Sequence, residues 1–570
     1  MRNLAAILMA AGLAACGNDQ PANETSKDAA PAPSAAERAA ASITPEAVMR
    51  HVEVLASDEY EGRMPGTPGG QKTVAYLVEQ FKALGLEPGN PDGSYTQDVP
   101  LAGITGEASG YFQLRGKRLP LEFGHNAVAV TSHFESSVEV ADSELVFVGY
   151  GIQAPEYGWD DYKGLDVRGK TIVMLVNDPP IKREDGSLDD SMFGGRAMTY
   201  YGRWTYKYEI ASQLGAAAAV IVHQTKPAGY PWEVVGKGWT GEQFVTLNEH
   251  NNTDRVPIEA WISVETARTL FEAAGHDFAA TAERAASADF KPLPLKAQAN
   301  FTLANELRTV DSQNVIARLP GSDPDRRDEH VVFTAHWDHL GNDGRTDGDG
   351  IYNGALDNAT GTGGLLELAR AYTKLPEAPP RSLLFLAVTA EEQGLIGSRH
   401  YAQNPLWPLH KTLANINMDG LNPYGRTSDV QVVGSGQSSL EEILERAAKA
   451  QGRHLVPEPE PEKGYYYRSD HFEFAKVGVP ALYAESGDQY VGKPADYGQK
   501  LRAEYVANDY HKPSDEIKDD WDLSGGVEDL QLYFHVGLDV ARADQWPEWK
   551  PGSEFRGVRR ASLEAAGSSD

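Results

Sequence analysis

One cysteine, Cys16, stands in a chain of 570 residues. No internal disulfide can form, and thiolate ligation or a cysteine nucleophile is set aside as the basis of any chemistry in the body of the protein. Positive charge is also scarce. Lys and Arg number 52 against 82 Asp and Glu, a formal net charge of -30. That balance argues against a broad phosphate-binding surface, and so against nucleic acid as a partner. It leaves carboxylates to spare, which suits metal cations. Past the N-terminus no apolar segment approaches the roughly 20 residues that span a bilayer. The full sequence is 41% hydrophobic and 24% charged, the composition of a soluble globular protein. The length implies two or more domains.

The N-terminus is distinctive. MRNLAAILMAAGLAAC combines one Arg, a short apolar run and small residues before Cys16. Residues 1–15 read as a secretory signal, too short for a spanning helix. The LAAC ending resembles a bacterial lipobox, which implies that Cys16 is lipidated and becomes the first mature residue. Gly17 follows, with no Asp at that position. By resemblance to Gram-negative lipoproteins, this implies an outer-membrane anchor facing the periplasm. Residues 16–42 are rich in Ala, Pro, Ser and charge without core-forming periodicity, and read as a flexible tether. Residues 549–570 read as a tail of the same kind.

Between these ends apolar runs alternate with amphipathic stretches. TPEAVMRHVEVLAS predicts a helix capped by Thr44, and GGQKTVAYLVEQFKALGLEP a second that stops near Gly85. ELVFVGYGI, KTIVMLVND, NVIARLPG, HVVFTAHWDHLG, RSLLFLAVTAEE, HKTLANINMDG and VPALYAES predict strands. Strand–helix alternation predicts an α/β fold built on an open, largely parallel mixed sheet sandwiched by helices.

Several of these strands end in acid or histidine. HVVFTAHWDHLG delivers His336, Asp338 and His339. The loop IYNGALDNATG delivers Asp357. TAEE delivers Glu391 and Glu392, NMDG delivers Asp419, and NDYHKPSDE adds His511. In open α/β sheets ligands bind beyond the carboxyl ends of the strands, so these distant residues are expected to converge. His, Asp and Glu together form a zinc-type ligand set.

HWDHLG, GALDNATG, TAEEQGLIGS, NMDG and YHKPSDE, in that order, resemble the two-zinc exopeptidase family of bacterial leucyl aminopeptidase, aminopeptidase Y and glutamate carboxypeptidase. The resemblance implies a zinc exopeptidase fold and two co-catalytic zinc ions. It places His336 and Asp419 on one ion, Glu392 and His511 on the other, and Asp357 between them. It implies Glu391 as general base, and Asp338 as the acceptor that fixes the tautomer of His336. The segment GYYYRSDHFEFAKVGVPALYAES resembles the family's late substrate-side segment, which implies Tyr466, Tyr467 or Arg468 as oxyanion or substrate contacts. Asp470 and His471 are read as organising that loop, and His339 as a supporting or solvated group.

Residues 135–290 separate a first catalytic part, 43–134, from a second, 296–548, that holds the metal site. LVFVGYGIQAPEYGWDDYKGLDVRGKTIVMLVNDPP with GRWTYKYEIASQLGAAAAVIVHQ resembles an inserted protease-associated (PA) domain of mixed β/α structure. The expected activity is hydrolysis of peptides at chain ends, foremost as an aminopeptidase. A carboxypeptidase, a glutaminyl cyclase and a non-catalytic receptor-like lipoprotein are the alternatives. Peptides are the expected partners, together with a membrane reached through Cys16.

Overall fold

The protein is described here by a computed structural model covering residues 32–567. The signal segment and Cys16 lie outside the described residues. Three helices open the described chain: α1 (Ala35–Ala40), α2 (Pro45–Leu55) and α3 (Pro68–Ala83). Ser34, Thr44 and Thr67 cap them, each hydroxyl accepting a backbone N–H three residues on. Helix α1 corrects the expected tether, which does not extend to residue 42. Ala39 and Ala40 are buried, and Arg370 donates to the Ser42 carbonyl at 2.5 Å. Two alanines are too small to announce a core in sequence, but they cover apolar surface supplied by distant helices.

The strands follow as β1 (Thr96–Leu114), β2 (Ala127–Val130), β3 (Ser137–Phe147) and β4 (Thr171–Leu175). Helix α4 (Trp204–Gln213) precedes β5 (Ala218–His223), β6 (Ile258–Ser263) and the 27-residue β7 (Leu293–Leu319). Strand β8 (His330–His336) leads to α5 (Gly361–Thr373), then β9 (Ser382–Val388) and β10 (Thr412–Asn417). The chain closes with β11 (Asp429–Val432), β12 (His454–Pro457), β13 (Ala481–Ser486), α6 (Tyr497–Asn508), α7 (Ser524–Arg542) and α8 (Arg556–Gly567).

The sheet runs in the order β12-β11-β13-β10-β8-β9-β7-β3-β4-β5-β6-β2. Strand β8 is parallel to β9 and β10, and β10 to β13. Strands β3, β4, β5 and β6 form a second parallel group. The long β7 joins the two groups by pairing antiparallel with β9 at one end and with β1 and β3 along the rest. The expected mixed, largely parallel sheet is therefore present. Strands β8, β9 and β10 are buried at every position, because helices cover both faces of a parallel sheet. Each large apolar side chain buried there contributes about 1.5–3 kcal/mol.

Two main cores form. One collects residues from Ala39 to Ala541, including Phe333, Phe385 and Ile416. The other runs from Phe112 to Leu303, with Val173, Ile221 and Trp261 at its centre. The second unit thus begins before residue 135 and ends after residue 290, because the β1–β7 ribbon contributes to it. The expected insert is narrower than its core.

The C-terminal segment is also ordered, against the expected tail. Trp549 and Phe555 are buried, and Arg559 of α8 donates to the carbonyls of Leu409 and Thr412 at 2.9 Å. Between the two aromatics, Glu554 accepts the Tyr467 hydroxyl at 2.8 Å and the Tyr200 backbone N–H at 3.3 Å. Burial, reinforced by Asp178 and Glu156 and opposed by those hydrogen bonds, pushes its carboxyl from the ordinary 4.5 to about 8. The folded chain therefore keeps a proton that the unfolded chain releases above pH 4.5. Its stability contribution is complete below that value and is lost as pH rises toward 8. Glu554→Gln, which retains the acceptor for Tyr467, should flatten the decline in thermal midpoint between about pH 5 and 8. Equal declines in both proteins would refute the assignment.

Candidate metal centre and substrate cavity

The rim of the first parallel group carries the site. His336 ends β8, Glu391 and Glu392 follow β9 by three and four residues, and Asp419 follows β10 by two. Asp357 sits in the loop ahead of α5, and His511 lies just beyond α6. The structure brings these six residues together as expected. His336 Nε2 lies 3.3 Å from Asp357 Oδ1 and 3.1 Å from Asp419 Oδ1. His511 Nε2 lies 3.3 Å from Asp357 Oδ2 and 3.0 Å from Glu392 Oε2. The two oxygens of Asp357 therefore face two separate donor groups. Glu391 Oε2 stands 4.0 Å from His336 Nε2.

Local backbone explains why neighbours at 391 and 392 diverge. Ala390 has φ of 53°, a left-handed turn that costs a non-glycine residue about 1–2 kcal/mol. Asp338 holds the turn by accepting the backbone N–H of Glu391 at 3.1 Å and of Glu392 at 3.3 Å. This corrects the expected role of its carboxylate. His336 Nδ1 instead meets the Asp338 backbone carbonyl at 3.2 Å, with the carboxylate 3.8 Å away. A carbonyl only accepts, so Nδ1 carries the proton and Nε2 is left bare as a ligand atom.

The loops that carry the ligands are cross-tied. Asp515 accepts the N–H of Leu356 at 3.1 Å and of Asp357 at 3.0 Å. Asn358 donates to the Met418 carbonyl and accepts from Gly420, joining the Asp357 loop to the Asp419 loop. Ser469 donates to Asp419 Oδ2 at 2.6 Å and accepts from Asn417 at 2.7 Å. Arg63, 1% exposed, lies beneath and donates to the carbonyls of Trp337, Leu55, Asn353 and Gly354. Gly354 has φ of 55°, and a Cβ there would stand 2.5 Å from His339 Cδ2, so only glycine fits. None of Asp515, Ser469 and Arg63 carried a role in the sequence reading. Asp515 stood inside the YHKPSDE motif, which was its one available signal.

Electrostatics follow from this crowding. Burial, with Asp419, Glu392 and Asp470 nearby, drives the Glu391 carboxyl well above its ordinary value, against the opposing charge of His336. Burial also works against Asp357, but hydrogen bonds from His336 and His511 hold it well below the carboxylate range. Burial and Asp357 oppose ionisation of Glu392, yet His511 and His339 bring it down to about 2. His339 is fully buried, neither solvated nor remote, with Nδ1 2.5 Å from Glu392 Oε1. Asp470 and His471 are buried behind the site.

A cavity of about 450 Å³ opens over these carboxylates. Tyr465, Arg468, Tyr483, Glu485, Arg502 and Tyr505 line it. Tyr466 and Tyr467 do not. Both are 4% exposed; Tyr467 is spent on Glu554, and Tyr466 packs on His471 and Phe555. Of the three expected substrate contacts only Arg468 faces the cavity. A run of tyrosines cannot show in sequence which ring turns inward.

The donor set suits a pair of divalent cations, with Asp357 between them. Asp515→Asn should therefore weaken divalent-cation affinity about 10–100-fold, because the amide cannot accept from both backbone groups that orient Asp357. Titration calorimetry on the metal-free protein would read this, and an unchanged affinity would refute it.

Comparison with known proteins agrees with the geometry. Residues 314–535 match Peptidase family M28. Leupeptin-inactivating enzyme 1 of Streptomyces exfoliatus is 30% identical over 188 residues, 33% of this chain and 38% of that protein. Aminopeptidase YwaD of Bacillus subtilis (strain 168) is 27% identical over 230 residues, 40% of this chain and 42% of that protein. The chain thus spans less than half the length of these curated relatives. The solved aminopeptidase from Aneurinibacillus sp. strain AM-1 is 20% identical, with a TM-score of 0.46 and coverage of 91% of this chain and 97% of that one. The matched stretch, residues 314–535, holds all six residues of the rim cluster.

Proposed function

We propose that the protein is a zinc-dependent exopeptidase, foremost an aminopeptidase that removes N-terminal residues from peptides. One observation carries this reading. Two histidines approach opposite oxygens of Asp357, while Glu391 faces the same cavity. The names of the relatives, an aminopeptidase and a leupeptin-inactivating enzyme, support it.

Four carboxylates, Asp357, Glu391, Glu392 and Asp419, converge on one buried rim with two histidines. Such like-charge crowding is costly without cations to relieve it. His336, Asp419 and Asp357 would hold one zinc ion, and Glu392, His511 and Asp357 the other. When bound, such a pair polarises a scissile carbonyl and acidifies water. Glu391 takes the proton of the attacking water and returns it to the leaving amine. Asp338 keeps Glu391 and Glu392 pointing apart, so that one accepts protons and the other ligates.

A carboxypeptidase is the second reading, favoured by the cationic Arg468 and Arg502 in the cavity wall. On sequence grounds we also propose export and lipidation at Cys16, with the β3–β6 unit acting as a PA-like wall of the cleft.

Glu391→Gln should retain both metal equivalents yet lower kcat about 10²–10⁴-fold. Glu392→Gln should instead lose metal. Metal analysis and peptide kinetics on both variants test this, and an active Glu391→Gln would sink the mechanism. On a tripeptide of three different residues, the first amino acid released should be the N-terminal one. Release of the C-terminal residue first would select the carboxypeptidase.

A further inference from the structure

The turn that aims Glu391 and Glu392 is tied from its far side as well. Beyond Glu392 the chain passes through Gly394, at φ of 106°, and Leu395, at φ of 60°. With Ala390 the turn thus holds two non-glycine residues in the left-handed region, a conformation that L side chains adopt only at a cost. The backbone N–H groups of Gly394 and Leu395 both return to the Glu391 carbonyl, at 2.8 and 2.9 Å. The placing of Gly394 therefore fixes the backbone of Glu391. Arg399, in the helix Ile396–Gln403 that follows, reaches back and donates through Nη2 to the Gly394 carbonyl at 2.9 Å. Asp338 grips the N–H of Glu391, and Arg399 grips the loop that closes behind it.

Arg399 is itself held in place. Its Nε donates to Glu473 Oε1 at 3.1 Å. Glu473 is 3% exposed, and its other oxygen lies 3.6 Å from Lys476 Nζ. Lys476 Nζ donates in turn to Glu209 Oε1 at 2.7 Å. Glu209 belongs to α4 of the second unit, and its other oxygen accepts the Tyr200 hydroxyl. Charge alternates along the row from Arg399 through Glu473 and Lys476 to Glu209. Burial works against Glu209, yet Lys476 and Tyr200 hold its carboxyl below the ordinary value, so it is ionised at neutral pH. Removing one member leaves its neighbour with an uncompensated charge in a poorly solvated place. None of the four lines the cavity, so none acts on a substrate by touching it.

We infer that Arg399 is a positioning residue for the Glu391 turn, and that Glu473 and Lys476 couple it to Glu209, so that docking of the β3–β6 unit sets the aim of the general base. This rests on the peptidase reading above and deepens it to the way the second unit acts on turnover. A unit that only walls the cleft changes substrate access and is read in KM. A unit that holds the base in line is read in kcat, because small displacements of a catalytic group are costly in rate.

The test uses the full chain, loaded with zinc, carrying Arg399→Met, Glu209→Gln or both. Peptide kinetics and hydrogen-exchange mass spectrometry of residues 389–398 are the two readouts. Arg399→Met should lower kcat about 10–100-fold, with KM within about 2-fold and metal content unchanged. Glu209→Gln should lower kcat about 2–30-fold from outside the cavity. The double variant should be no slower than Arg399→Met alone, since the row acts in series; effects that multiply would overturn the coupling. Arg399→Lys, which keeps the charge without the fork, should recover part of kcat. Exchange across 389–398 should rise in both single variants while Ser382–Val388 stays protected. If Glu209→Gln fails to fold, Lys476→Met carries the same expectations. Unchanged kcat and exchange in Arg399→Met, or a rise in KM alone, would overturn the assignment. Faster exchange in variants of a chain that cleaves no peptide would keep the positioning role and defeat the peptidase reading. Wild-type turnover that neither variant slows would do the reverse.

Discussion

Four carboxylates forced together at one edge of a buried sheet are the constraint on which the rest of this structure depends. Asp357, Glu391, Glu392 and Asp419 share one partly buried cavity wall. Left to themselves they would repel and splay. They stay together because His336 and His511 stand between them. Arg63 adds a buried positive charge beneath, felt by Asp515, Asp357, Asp338 and Glu392. The arrangement is a frame for cations, and its components answer to that need before any other.

The frame is rigid because each ligand loop is tied to another. Asp338 on the β8 loop fixes the backbone of Glu391 and Glu392. Asn358 links the loops of Asp357 and Asp419, and Asp515 brings the His511 segment under Asp357. These ties are hydrogen bonds to backbone groups, so they set direction more than they add stability. The sheet beneath supplies the stability through strands buried along their whole length. Stability and direction thus come from different layers of the fold, which lets a charged rim rest on an apolar floor.

The second unit bears on this rim from the side. Tyr200 packs on Phe472 and Tyr467, and Glu209 pairs with Lys476. Glu554 of the C-terminal segment locks the same corner by holding Tyr467 and Tyr200 together. The segment from Tyr465 to Lys476, which carries Arg468 into the cavity wall, is therefore braced by two other stretches of chain.

How much of this was legible beforehand follows from how each feature is encoded. The alternation of apolar runs and amphipathic stretches determined the α/β class, since period and length are local properties of sequence. His336, Glu391, Glu392 and Asp419 were legible because strand ends in an open sheet converge, and Asp357 and His511, carried on a loop and beyond a helix, through the resemblance of their motifs. Tertiary structure alone decided what depends on rotation and long-range contact. It turned Tyr466 and Tyr467 into the core and left Arg468 outside, a matter of side-chain direction within one short loop. It drew α1 and the segment from Trp549 to α8 onto the body, where lone alanines and aromatics find surfaces made elsewhere. It moved the Asp338 carboxylate from His336 to the backbone beyond β9.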